Sequence, residues 1–175
     1  FADFMPKLPP AYLNVEHVLL GNIRPELQLH VLDQIENVKF VASDTMDLWI
    51  KTAPDVLRMV VNRSNLLFLN DAEARLFTGR YNIRDCADAL LDMGPQYVVI
   101  KKGEHGAMLF ARDLILIIPA YPIKQLADPT GAGDMFAGAC MGFLSACGCD
   151  KINPRILRTA LLHGSVAASF GVESF

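Results

Sequence analysis

Short apolar runs alternate with longer helical patterns along the chain, and this alternation constrains the fold more than any other sequence feature. Strands are predicted at residues 15–21, 38–42, 66–69, 97–100, 106–111 and 114–119. Helices are predicted at residues 25–36, 52–62, 71–77, 84–93, 131–146 and 154–170. The last two strands are separated only by Arg112 and Asp113 and read as a hairpin. The spacing predicts an α/β fold with a mainly parallel central sheet covered by helices on both faces.

A glycine turn opens the helix predicted at residues 131–146, with the sequence Asp128-Pro129-Thr130-Gly131-Ala132-Gly133-Asp134. Its backbone N–H groups can point outward at the helix N-terminus, where unpaired donors and the helix dipole favour an anion. The Asp134 carboxylate would repel a bound phosphate, so local structure alone gives little reason for an acidic residue at this position. A base that takes a proton from a hydroxyl group attacking a phosphoryl group is such a function. The alternative is an acidic residue that only complements the helix dipole.

The turn does not match two common nucleotide-binding motifs. The chain has no GxxxxGK followed by Ser or Thr, which excludes a P-loop. The turn also lacks the third glycine of the dinucleotide-binding motif, and no GxGxxG follows the first predicted strand. An NAD-binding domain is therefore weakly supported.

The segment from Asp128 to Asp134, with Phe136-Ala137-Gly138 after it, closely resembles the C-terminal signature of the ribokinase/PfkB-type carbohydrate kinase family. The resemblance implies a three-layer αβα ribokinase-like fold and an ATP- and Mg²⁺-dependent kinase that acts on a hydroxyl group of a sugar or nucleoside. It assigns the anion hole for the transferred phosphoryl group to the amides of Gly131, Ala132 and Gly133, and the catalytic base to Asp134. The resemblance also assigns Gly133 and Thr130 to nucleotide binding. Asp128 then either braces the turn or borders a site for a monovalent cation such as K⁺.

A second motif, Asn70-Asp71-Ala72-Glu73, follows a predicted strand and opens a helix. It is similar to the family's Asn-x-x-Glu motif, which helps to organise Mg²⁺ and phosphate mostly through waters. A carboxylate and an amide one helical turn apart suit Mg²⁺, which keeps most of its water shell. The alternative is a helix cap formed by Asn70 and Glu73. Beside the glycine turn, we favour the metal role for both residues.

The stretch Ile100-Lys101-Lys102-Gly103-Glu104-His105-Gly106-Ala107 resembles the family's strand-to-turn segment on the nucleotide side. Gly103 and Gly106 permit a tight turn with a close approach of the backbone to a ligand. Lys101 stands where many family members have a small hydroxyl residue. A lysine there can reach the ATP phosphates as a point charge, although a solvated lysine at a strand end is an equal alternative.

Small residues follow one face of the last predicted helix, namely Ala160, Gly164, Ala167, Ala168 and Gly171. Such a face allows close packing against another helix or against a flat adenine ring. Helix packing is the commoner explanation, but the family places nucleotide contacts in this part of the chain, and we assign Ala167 and Gly171 to the cofactor on that ground. The segment 44–49 follows the second predicted strand, and its acidic and aromatic residues border either a ligand pocket or the core.

Charge and composition argue against several functional classes. Sixteen basic and nineteen acidic residues give a net charge of −3, with no basic patch for nucleic acid. The longest uncharged apolar stretch, residues 135–149, is short for a membrane span, and the sequence from Phe1 lacks the layout of a signal peptide. The cysteines show no paired CxxC pattern and fit reduced thiols in the cytoplasm; they are Cys86, Cys140, Cys147 and Cys149.

The resemblance covers nearly the whole chain but only part of the family domain. The N-terminal strands, the lid and most sugar contacts of the family are not recognisable before Phe1. We therefore expect residues 1–175 to form the nucleotide- and phosphate-binding portion of one kinase domain. A sugar is the family's default substrate and a nucleoside is the close second. A homodimer of the full-length protein stays open, and a catalytically silent binding module is the alternative function.

Overall fold

The computed structural model describes residues 4–148 and 152–173. The strands are β1 (His17–Leu20), β2 (Phe40–Asp44), β3 (Leu66–Asn70), β4 (Tyr97–Lys101), β5 (Ala107–Ala111) and β6 (Leu114–Ile118). The helices are α1 (Pro25–Leu32), α2 (Asp47–Thr52), α3 (Pro54–Asn62), α4 (Asp71–Thr78), α5 (Ile83–Leu91), α6 (Ala132–Cys147) and α7 (Pro154–Glu173). Short 3-10 helices lie at Pro10–Tyr12 and Gly103–His105.

The six strands form one sheet in which their spatial order follows their order in the chain. Strands β1 to β4 are parallel. Strand β5 is antiparallel to β4, and β6 is antiparallel to β5. The predicted mainly parallel sheet and the predicted hairpin are both confirmed.

The central strands are apolar along their whole length because helices cover both faces of the sheet. In β3, Leu66 and Phe68 belong to the core cluster formed with α6 and α7. Leu67 and Leu69 belong to the opposite cluster, formed with α2, α3, α4 and α5. All four side chains are fully buried. Alternate residues of β3 therefore pack against helices on opposite faces of the sheet. The sheet lies between two helical layers, and the predicted αβα architecture is confirmed.

The helix predicted over residues 52–62 corresponds to α3 but starts two residues later, and the separate helix α2 before it was not predicted. Helix α2 ends at Thr52, and α3 begins at Pro54. Ala53 between them has φ −141° and ψ 48°, outside the helical region. A proline disfavours helical backbone in the residue before it and is well suited to the first position of a helix, so the chain breaks here.

Two findings concern the cysteines and the lengths of the apolar helices. In the described part of the chain, Cys86, Cys140 and Cys147 are free, and no helix has both the length and the apolar character needed to cross a membrane. Cys140 lies in the core, and burial raises the pKa of its thiol to about 12, which disfavours the reactive thiolate. Cys149 lies outside the described residues.

Candidate active site

A cavity of about 1240 Å³ opens where the parallel strands end. Asp44 ends β2, Asn70 ends β3 and Lys101 ends β4, and all three line the cavity. The opposite wall comes from the first turn of α6 and from α7. Because the carboxyl ends of parallel strands share one edge of a sheet, polar side chains from separate parts of the chain meet there.

The first turn of α6 presents unpaired backbone donors to this cavity. Gly131 has φ +80°, a left-handed conformation that glycine adopts without strain. The amide of Ala132 donates to the Pro129 carbonyl at 3.2 Å, and the amide of Met135 donates to the Gly131 carbonyl at 2.9 Å. The amides of Gly131 and Gly133 have no acceptor among the described residues. These two amides are therefore free for an anion, whereas the predicted third donor, Ala132, already has an acceptor.

Asp134 is the third residue of α6 and lines the same cavity. No hydrogen bond or ion pair within residues 4–148 and 152–173 engages its carboxylate, and the residue is exposed. It also borders a second cavity of about 400 Å³, together with Leu19, Asn22 and Ala137. A carboxylate with free oxygens between two cavities can accept a proton from one molecule while an anion occupies the glycine turn.

A lysine–aspartate pair crosses the end of the sheet below the glycine turn. Lys101 Nζ donates to Asp44 Oδ2 at 2.7 Å, with side chains only 17% and 5% exposed. Burial raises the pKa of Asp44, and the neighbouring ammonium group opposes that rise. Since β3 lies between β2 and β4, the lysine spans the end of β3 to reach its partner.

Asn70 and Glu73 form the capping box that the sequence analysis held as an alternative. The Glu73 amide donates to Asn70 Oδ1 at 2.8 Å, and the Asn70 amide donates to Glu73 Oε2 at 2.7 Å. Glu73 nevertheless lines the cavity, and burial raises the pKa of its carboxyl group. The cap engages only Oε2 of Glu73, so the other oxygen of this carboxylate remains available to a metal ion or its water shell. Glu73 can therefore cap the helix and also help to hold a metal.

Several acidic residues line the cavity, but they do not converge on one point. Among the described residues, no cluster of three or more His, Cys, Asp or Glu side chains is arranged to hold a metal ion. A cation at this site would therefore take most of its ligands from water and from the phosphates of a nucleotide. Mg²⁺ binds in that manner, and its expected contact through Asn70 and Glu73 fits the donor set.

Asp128, Thr130, Ala167 and Gly171 were predicted for the site, and the structure places all of them outside the cavity lining. Asp128 Oδ1 accepts from the Thr130 amide at 2.8 Å, and this bond lowers the pKa of Asp128. Asp128 thus braces the turn, and the monovalent-cation site stays a prediction. A Cβ at Gly171 would lie 2.0 Å from Met135 Sδ, so the small face of α7 packs against α6. This contact favours helix packing for Gly171, and the assignment of Ala167 and Gly171 to a nucleotide stays a prediction.

Other lining residues were not assigned to the site from the sequence, in particular those of the irregular segment 119–131 and its contacts on α7. The Tyr121 amide donates to Ser165 Oγ at 2.9 Å, and Ser165 Oγ donates to the Pro119 carbonyl at 3.1 Å. The Ala127 amide donates to the Val172 carbonyl at 2.7 Å. The segment has neither helical nor strand periodicity, so no pattern signalled that it closes one side of the cavity.

Known proteins share this fold and this sequence pattern. The chain is 34% identical over 143 residues to the cytidine kinase of Thermococcus kodakarensis. This alignment covers 79% of this chain and 50% of that protein. It is 27% identical over 168 residues to the nucleoside kinase of Methanocaldococcus jannaschii, covering 96% of this chain and 52% of that protein. The chain therefore spans about half the length of these relatives.

A solved structure confirms the ribokinase-like fold. Aminoimidazole riboside kinase from Salmonella enterica, complexed with aminoimidazole riboside and an ATP analog, superposes with a TM-score of 0.78 at 20% identity, covering 95% of this chain and 59% of that one. Residues 9–175 match the family model described as pfkB family carbohydrate kinase. Because that match spans nearly the entire sequence, the chain belongs to the pfkB family of carbohydrate kinases.

Proposed function

We propose that the full-length protein transfers the γ-phosphoryl group of ATP to a hydroxyl group of a nucleoside or sugar. One observation carries the proposal: the carboxylate of Asp134 lies in the same cavity as the Gly131 and Gly133 amides, and no described residue pairs with any of the three groups. A base and an anion-binding turn within one helical turn are two of the parts that phosphoryl transfer to a hydroxyl group requires.

In this mechanism the substrate hydroxyl oxygen attacks the γ-phosphorus, and the bond from that phosphorus to the oxygen bridging it to the β-phosphate breaks. Asp134 accepts the hydroxyl proton, and ADP leaves with the electron pair of the broken bond. The Gly131 and Gly133 amides donate to the oxygens of the transferred group, where negative charge gathers. Mg²⁺, when bound, neutralises charge on the phosphates, and Glu73 and Asn70 would hold its water shell.

A nucleoside is the acceptor that we favour. The two relatives described above are named cytidine kinase and nucleoside kinase, and the superposed structure is a riboside kinase. The small cavity beside Asp134, bordered by Leu19, Asn22 and Ile23, offers both apolar and amide contacts next to the base. A free sugar is the second choice.

A coupled assay of ADP release, run on the full-length protein with nucleosides and sugars, tests the proposal. We expect Mg²⁺-dependent turnover with at least one nucleoside. Binding of ATP without turnover on any acceptor would contradict phosphoryl transfer and favour a silent binding module. Turnover with sugars alone would keep the reaction and overturn the choice of acceptor.

Gly133→Ala should lower turnover without unfolding the protein. A Cβ at Gly133 would lie 3.0 Å from Lys101 Nζ, so the ammonium group and the turn must separate by a few tenths of an ångström. Misplacement at a phosphoryl site is costly, and we expect a loss of about 10-fold in kcat/KM.

Gly138→Ala is the matched control for this change, because a Cβ at Gly138 of the same helix meets no atom within 4 Å. Alanine is the better helix former, so this variant should keep its activity and gain up to about 1 kcal/mol of stability. Equal activity in the two variants would show that Gly133 has no special place in the site.

A further inference from the structure

The Lys101–Asp44 pair is not explained by stability. A lysine at a strand end normally extends into solvent, yet this side chain is only 17% exposed and points toward the N-terminus of α6. A cation near the positive end of a helix is electrostatically unfavourable. A buried ion pair also costs desolvation, and apolar residues of similar volume are often as stabilising.

The position of the ammonium group suggests a function. Lys101 Nζ lies 3.0 Å from the point that a Cβ at Gly133 would occupy, so it adjoins the turn whose Gly133 amide lacks an acceptor among the described residues. An ammonium group has three N–H donors, and Asp44 accepts one of them at 2.7 Å. An anion bound at the Gly133 amide would therefore lie within reach of a second donor of the same lysine.

The charges around the cavity strengthen this reading. Asp44, Glu73 and Asp134 all line the cavity, and each carries a carboxyl group. A nucleotide polyphosphate entering among these carboxylates would be repelled unless a cation were already present. Lys101 interacts electrostatically with both Asp44 and Glu73. Lys102 also lines the cavity, but among the described residues it is the Lys101 ammonium group that adjoins Gly133 of the turn.

We propose that Lys101 is a catalytic residue whose ammonium group contacts the transferred phosphoryl group, and that Asp44 is the positioning residue that holds it there. The proposal rests on the proposed phosphoryl transfer. The proton stays on Lys101 throughout, and the ammonium group stabilises the charge that the transferred oxygens gain. Asp44 keeps the long side chain in one conformation, so the donor is already oriented when the nucleotide binds.

The first test is Lys101→Met in the full-length protein, with Lys51→Met as the matched control. Lys51 forms an equally short pair with Asp47 at 2.6 Å, but this pair is exposed and lies outside the cavity. We expect Lys101→Met to lose about 100-fold in kcat/KM, the size of effect seen when one oxyanion donor is removed. Lys51→Met should match the parent. Parental turnover in Lys101→Met, with Asp134→Asn inactive, would overturn this proposal and leave the proposed function standing.

A second variant separates catalysis from folding. Lys101→Met alone leaves the buried Asp44 carboxylate with the Thr45 amide but without its cationic partner, which destabilises the protein. Adding Asp44→Asn removes that charge and should restore the melting temperature, but the turnover should stay low. A double variant that regains parental turnover would show that the pair is structural and would overturn the proposal.

Binding supplies a readout that does not depend on turnover. Calorimetry with ADP and with a non-hydrolysable ATP analogue compares affinities with and without the γ-phosphate. Lys101→Met should weaken the ATP analogue about 10-fold relative to ADP, since a charge-assisted hydrogen bond to the γ-phosphate is lost. An unchanged ratio of the two affinities would contradict the contact, even if the parent phosphorylated no acceptor in the screen.

Discussion

Asp134→Asn is expected to lower kcat by about 10²- to 10⁴-fold, the range attributed to a positioned general base. Asparagine has nearly the same shape as aspartate but cannot take the hydroxyl proton. Asp134 is exposed, and no hydrogen bond or ion pair of the described residues engages it, so folding should not suffer. The affinity for ATP should stay the same or rise, because a negative charge beside the phosphates is removed. Steady-state kinetics and calorimetry on the full-length protein measure both effects.

Asp85→Asn is the control that addresses the helix-dipole explanation of Asp134. Asp85 is the third residue of α5, as Asp134 is the third residue of α6, and it is exposed outside the cavity. If the carboxylate served only the dipole, the two substitutions would cost similar, small amounts of stability, typically about 0.3–1 kcal/mol. Turnover near the parental value in Asp134→Asn would mean that another group accepts the proton.

The sheet and its layers could be predicted because each central strand carries its own evidence. A strand such as Leu66–Asn70 is apolar on both faces, which is typical of a parallel strand covered by helices on each side. The turn at residues 131–133 was equally local, since two glycines separated by one residue at a helix start predict free amides. Both predictions depend on residues that are neighbours in sequence.

The features that were not predicted depend on residues that are distant in sequence. Lys101 and Asp44 are 57 residues apart and meet only because β2 and β4 flank β3. Gly171 was assigned to a nucleotide because a small-residue face fits either a helix or a ring, and its close contact with Met135 on α6 arises only in the folded chain. The start of α3 at Pro54 was missed for a different reason: Thr52 and Ala53 were included in the predicted helix, and the proline was not given enough weight.

Gly106→Ala should destabilise the full-length protein by about 3 kcal/mol, the largest stability effect that we expect from a single methyl group in this chain. Gly106 has φ +83° and ψ −141°, a conformation that is nearly confined to glycine. A Cβ there would lie 2.0 Å from the Ile118 carbonyl oxygen and 2.8 Å from the Ala120 amide nitrogen. These are backbone atoms at the end of β6, so they cannot move aside without breaking the pairing of β5 with β6.

Gly103→Ala separates the strain of a positive φ from this steric clash. Gly103 lies in the same turn with φ +56°, but a Cβ there meets no atom within 4 Å. Its replacement should cost about 1–2 kcal/mol, the usual penalty of a left-handed residue with a Cβ. Denaturant unfolding of both variants measures the difference, and equal losses would show that φ alone is responsible.

Because the Lys102 amide donates to the Gly106 carbonyl at 2.7 Å, displacing Gly106 also shifts the strand end that carries Lys101. Gly106→Ala should therefore weaken binding of the ATP analogue even at temperatures where the variant is fully folded, whereas Gly103→Ala should weaken it less.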